Sequence, residues 1–170
     1  AESLLDTEAK INYIATNCSA QDPEMANRIS LHQQRRPKNW QTTETYLVVS
    51  DVIEQAQVSA HLLDCATMLS TNYFFDLMKE RFGEDFTIID EEILKLTQKE
   101  KAAIEADILN EWQKILTAAR NSQTDLVVVT NEVGLGIVPE NAFSRWFRDV
   151  LGHVNQSLGK EADAVFFVIA

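Results

Sequence analysis

A chain of 170 residues, 45% of them hydrophobic, is the size of one domain and can bury a core without disulfide staples. Its formal charge of −11 at pH 7 argues against a nucleic-acid scaffold, whose affinity rests on Lys and Arg neutralising phosphates, yet leaves room for a small phosphorylated ligand held by local positive charge. No apolar run approaches the roughly 18–20 residues of a membrane span, the opening AESLLDTEAK lacks the marks of a signal peptide, and the cysteines Cys18 and Cys65 fit a reducing cytoplasm better than a disulfide framework.

The first apolar run, Ile11 to Ala15, reads as a buried strand that ends in Thr16-Asn17-Cys18. Asp22 then caps a short helix with Pro23 at its first position. Met25, Arg28, Ile29 and His32 share one face of that helix. A basic turn follows, Gln33-Gln34-Arg35-Arg36-Pro37, and after it come Trp40 and Glu44. A second strand, His61 to Leu63, ends in Asp64-Cys65. The acidic stretch from Gly83 to Glu92 is expected to be a solvated loop between helices.

Thr97-Gln98-Lys99-Glu100 fits a capping box, and Ile104, Ile108, Trp112, Ile115 and Ala119 carry the helix behind it to about Arg120. A third strand, Leu126 to Thr130, runs into Asn131-Glu132-Val133-Gly134-Leu135-Gly136. A last helix starts near Pro139, and its stripe of Phe143, Trp146, Phe147, Val150, Leu151, Val154 and Leu158 is core packing. A closing strand is expected from Ala164 to Ile169. Continuous apolar runs suit a sheet covered on both faces, so residues 1–170 are expected to form a single α/β domain with a mainly parallel sheet.

In open α/β sheets ligands bind beyond the carboxyl ends of the strands. Asp64 sits where a P-loop enzyme holds Mg²⁺, although apolar strands ending in Asp are also common structural features. The Gly134-Leu135-Gly136 fragment is a turn, too short for a nucleotide fingerprint. His61 and His153 read as structural, and both cysteines as small buried residues. His32 has two readings. It is a partly buried packing residue beside Met25 and Ile29, or a nucleophile toward phosphorus, with Arg35 and Arg36 holding the charge.

Taken in order, these blocks resemble a known family. They are Tyr13-Ile14-Ala15-Thr16, DPEMANRI with His32, Arg36-Pro37 with Trp40, Thr42 and Glu44, LLDCATMLSTN from Leu62 to Asn72, and NEVGLGIVPEN from Asn131 to Asn141 followed by Arg145 and Phe147-Arg148-Asp149. The chain is similar over nearly its whole length to the bifunctional adenosylcobinamide kinase and adenosylcobinamide-phosphate guanylyltransferase of cobalamin biosynthesis. The resemblance implies a P-loop, RecA-like three-layer α/β domain, assembled as a homotrimer. It implies GTP and ATP as substrates with Mg²⁺, and adenosylcobinamide and its phosphate as acceptors.

Carried over by position, His32 is the residue that becomes guanylylated. Thr16, Asn17, Cys18, Gln33, Gln34, Arg35, Arg36 and Glu44 line the nucleotide site, and Asp64 serves both nucleotide and metal. Gln33 departs from the family, which often has a basic residue there. The family's first strand and its Gly-Lys-Ser phosphate loop have no counterpart in these 170 residues, and the end is also short of the family's usual tail, so a chain truncated at both ends is expected. The competing readings are a P-loop kinase or nucleotidyltransferase for another acceptor, and a non-catalytic member that only binds nucleotide.

Overall fold

The computed structural model describes residues 5, 9–17, 37–85 and 88–169. Its elements in chain order are β1 (Ile11–Ala15), β2 (Gln41–Glu44), α1 (Val49–Gln55), β3 (Ala60–Asp64), α2 (Ala66–Phe82), α3 (Ile89–Lys95), α4 (Gln98–Ser122), β4 (Asp125–Val129) and α5 (Ala142–Glu161). They fall into two units, Ala1–Leu69 with Ile115–Thr130 and Ser70–Lys114 with Asn131–Ala170.

The first unit holds the sheet. Its order is β2-β1-β3-β4, and every pairing is parallel. The apolar content of β1 and β3 explains their central place: all five residues of β1 are buried, as are the first four of β3. Side chains alternate across the sheet. Ile11, Tyr13 and Ala15 therefore share a face with Ala60 and Leu62, and Trp40 joins that cluster while Val127 and Val129 pack against it. The opposite face carries Ile14 and Leu63, both fully buried. It also carries two buried polar side chains in register, Asn12 and His61.

The second unit is built on aromatic rings. Phe74 is fully buried, and its ring meets those of Phe143, Trp146 and Phe147 edge-on at centroid distances of 5.5, 5.1 and 5.7 Å. Edge-to-face pairs set the positive rim of one ring against the negative face of another. Trp112 is also fully buried, and its indole N–H donates to Ser70 Oγ at 3.0 Å, which satisfies its one polar atom. The stripe expected on the last helix is thus core packing. That helix starts at Ala142, with Asn141 Oδ1 capping it by accepting from the Ser144 N–H at 2.7 Å. The expected capping box is also present, since the Thr97 N–H donates to Glu100 Oε2 at 2.8 Å. Helix α2 ends where Gly83 takes a φ of +85°, a conformation that favours glycine, and donates its N–H to Lys79 O at 2.9 Å.

Three expectations are corrected. The stretch Gly83 to Glu92 is not all solvated loop, because α3 begins at Ile89. Asp90, Glu91 and Glu92 fall in the first turn of α3, where negative charge suits the helix dipole. Ile93 is fully buried, and Asp90 Oδ1 accepts from the Phe143 N–H at 2.8 Å. Residues 164–169 form no strand where one was expected; Val165 to Ile169 are exposed. An apolar run supplies side chains but not the partner ladder that defines a strand. Finally, β2 and α1 were not anticipated. The four residues of β2, QTTE, are mostly exposed and carry no apolar signal. Among the described residues, no helix is long and apolar enough to cross a membrane.

Candidate active site

The parallel register gathers the carboxyl ends of the strands. Ala15 pairs with Glu44 on one side and with Asp64 on the other, and Asp64 pairs with Val129. Glu44, Ala15, Asp64 and Val129 thus form one row across the sheet's carboxyl edge. The loops leaving that row begin at Thr16, Thr45, Cys65 and Thr130. This is the edge at which open α/β sheets bind ligands.

Two contacts fix the centre of the row. The Tyr13 phenol donates to Asp64 Oδ2 in a short hydrogen bond. Tyr13 reaches that carboxylate because it pairs with Leu62, two residues before Asp64, and so shares its face. Next, the Thr16 hydroxyl accepts from the Cys65 N–H and donates to the Cys65 carbonyl oxygen, both at 2.8 Å. The Thr16 N–H also donates to Asp64 O at 3.1 Å. Thr16 therefore ties the peptide after β3 to the end of β1, and its buried hydroxyl spends its donor and an acceptor inside the protein. Burial, more than any neighbour, pushes the Cys65 thiol above its ordinary range, so it stays protonated at neutral pH and is a poor nucleophile.

Of the residues singled out from sequence, Thr16, Asn17, Glu44 and Asp64 lie at this edge. Cys18, His32, Gln33, Gln34, Arg35 and Arg36 lie outside the described residues. His61 is fully buried in β3, and His153 on α5 pairs through Nδ1 with Glu105 Oε1 at 2.5 Å. Sequence reasoning assigned no role to Tyr13. Its one signal is a tyrosine two residues before a strand end, and that gains meaning only once β1 and β3 are known to be neighbours.

Among the described residues, no group of three or more His, Cys, Asp or Glu side chains comes together to hold a metal. Mg²⁺ is commonly held by only one or two carboxylates, several waters and the phosphates of a substrate. Asp64 suits that role chemically, because among the described residues the Tyr13 contact is on Oδ2 and Oδ1 can take a further partner.

Comparison with known proteins gives the family. The chain is 38% identical to the bifunctional adenosylcobalamin biosynthesis protein CobU of Salmonella typhimurium, an alignment that covers 100% of this chain and 87% of that protein. It is 35% identical to CobU of Escherichia coli, again over 100% of this chain and 87% of the relative. With the bifunctional protein CobP of Pseudomonas aeruginosa it shares 28% identity over 94% of this chain and 78% of that one. The match to the family described as cobinamide kinase / cobinamide phosphate guanyltransferase runs from residue 1 to residue 170, and the chain belongs to that family.

Proposed function

We propose that this chain carries both activities of its family, phosphorylating adenosylcobinamide and then transferring GMP from GTP to adenosylcobinamide phosphate to give adenosylcobinamide-GDP. The observation that carries this reading is the family match over all 170 residues. Two relatives above one-third identity, both named as bifunctional, support it.

In the kinase step the acceptor hydroxyl attacks the γ-phosphorus of a nucleoside triphosphate, the new P–O bond forms and the nucleoside diphosphate leaves. In the second step the neutral His32 imidazole attacks the α-phosphorus of GTP. A P–N bond forms, the bond to the bridging oxygen breaks, and pyrophosphate departs. A phosphate oxygen of adenosylcobinamide phosphate then attacks the same phosphorus, the P–N bond breaks, and His32 is restored. Two such transfers each face a lower barrier than one direct transfer.

Arg35 and Arg36 offer planar donor pairs to the transferring phosphoryl oxygens. Glu44 and Asn17 line the nucleotide, and Asp64 holds Mg²⁺. That ion, when bound, offsets charge on the triphosphate. Thr16 acts by holding the Cys65 peptide against the end of β1. The chain works as a homotrimer in the cytoplasm.

The test incubates full-length protein with Mg²⁺ and GTP labelled on the α-phosphate. Acid-labile label on a peptide containing His32, and its loss in His32→Ala with kinase activity retained, is the expected result. GMP transfer that survives in His32→Ala would mean another nucleophile.

A further inference from the structure

Helix α5 carries two interior glycines, Gly152 and Gly159, and a Cβ added at either would meet nothing within 4 Å. Glycine is among the poorest helix formers, so packing within the described protein gives no reason for either. Their surroundings differ. Gly152 lines an open cleft of about 430 Å³, together with Glu132 and Gly134 from the loop after β4 and Arg148, Asp149, His153 and Gln156 from its own helix. Gly159 does not line it.

The lining is chemically mixed. Glu132 turns back to accept from the Gly134 N–H at 2.6 Å, and His153 Nδ1 is taken by Glu105, which leaves Nε2. Arg148 offers only donors, Asp149 only acceptors, and Gln156 both. Glu132 and Asp149 outweigh Arg148 in formal charge, so a nucleoside triphosphate is a poor occupant. A primary carboxamide is a good one: its N–H groups suit Asp149 and its carbonyl oxygen suits Arg148. The same loop leaves Leu135, Ile137 and Val138 exposed, Ile137 to 97%. Exposed apolar side chains beside a polar cleft suit a ligand with an apolar body and polar arms.

We propose that this cleft binds cobinamide, with carboxamide arms of the corrin ring engaging Arg148, Asp149 and Gln156 and the apolar ring body against Leu135, Ile137 and Val138. Gly152 is there because a side chain would occupy the space an arm needs. The proposal rests on the functional reading above, and its test separates the two.

Parent, Gly152→Ala, Arg148→Gln and Gly159→Ala proteins are compared by calorimetric titration with dicyanocobinamide, by self-labelling with α-labelled GTP, and by melting temperature. Gly152→Ala should melt no lower than the parent, label normally, and bind dicyanocobinamide at least about tenfold more weakly, a change of roughly 1.4 kcal/mol. Arg148→Gln should weaken binding in the same way, while Gly159→Ala keeps the parent affinity. Parent affinity in Gly152→Ala overturns the proposal, as does equal weakening in Gly159→Ala, or loss of labelling in Gly152→Ala. A parent that labels with GMP but does not bind dicyanocobinamide overturns the cleft assignment alone. A parent that does neither overturns the functional reading as well.

Discussion

Replacing His61 with leucine should remove a large part of the protein's sensitivity to acid. His61 sits in the middle of the sheet, between Asn12 on β1 and Leu126 on β4, and is fully buried. Neither ring nitrogen has a hydrogen-bond partner among the described residues. Burial pushes its pKa down to about 4. In the unfolded chain the imidazole returns to about 6.5. Above that value it is neutral in both states and contributes nothing to pH dependence. As pH falls below about 6.5, the unfolded chain takes up a proton that the folded protein refuses, so stability drops with pH. The loss levels off below about pH 4, where the folded protein takes up the proton too. At about 1.36 kcal/mol per pH unit, the gap between the two pKa values amounts to roughly 3 kcal/mol, of which about 2 kcal/mol is already lost at pH 5.

Urea denaturation of the parent and His61→Leu proteins, side by side at pH 7.5, 6.5 and 5, measures this directly. Every other residue is common to both proteins, so the difference between them isolates position 61. Between pH 7.5 and pH 5 the variant should lose about 2 kcal/mol less than the parent. At pH 7.5 it should be at least as stable, because leucine fills the site without two unsatisfied nitrogens. Equal losses in the two proteins, to within about 0.5 kcal/mol, would refute the argument and mean that His61 finds a partner or water in solution.

Other substitutions test the remaining contacts. Tyr13→Phe removes the phenol donor from Asp64 and should cost about 2 kcal/mol in urea denaturation, as expected for a hydrogen bond to a charged group. Thr16→Val strips both hydrogen bonds from Cys65 and should cost about 1–3 kcal/mol by the same assay, whereas Thr16→Ser should retain most of the stability. Phe74→Ala opens the aromatic core of the second unit and should cost about 3–5 kcal/mol. Asp64→Asn should fold normally yet lose more than about 100-fold in Mg²⁺-dependent kinase rate, beyond the effect of an outer-shell partner; a near-normal rate at ordinary Mg²⁺ concentrations would take the metal role away from Asp64.

What the sequence disclosed follows from burial. Strands β1, β3 and β4 were legible as apolar runs, which is how strands in a parallel sheet covered on both faces appear. Strand β2 was not, because QTTE lies at the edge of the sheet with most of its side chains exposed; it is a strand only through its pairing with β1. Residues 164–169 show the converse, an apolar run without a ladder. Helix α3 was hidden by its own acidic start, which resembles solvated loop when charge is counted without regard to helix polarity. The place of Asp64 at the carboxyl edge was legible from position alone. The roles of Tyr13 and Thr16 were not, because they depend on β1 and β3 being adjacent and in register, and the residues involved are 51 and 49 positions apart.

The choice of partners around Asp64 bears on what that residue can do. An arginine or lysine beside it would offset its charge and compete with a cation for the same oxygens. Among the described residues the donor is instead a neutral phenol, which orients the carboxylate through Oδ2 and brings no positive charge to it. Thr16 likewise uses a neutral hydroxyl to hold the Cys65 peptide. Both restraints are uncharged, one from β1 and one from the residue just after it, and both act on the strand end that bears the acid. Neutral restraints of this kind suit the metal role proposed for Asp64, and a structural salt bridge at the same position would work against it.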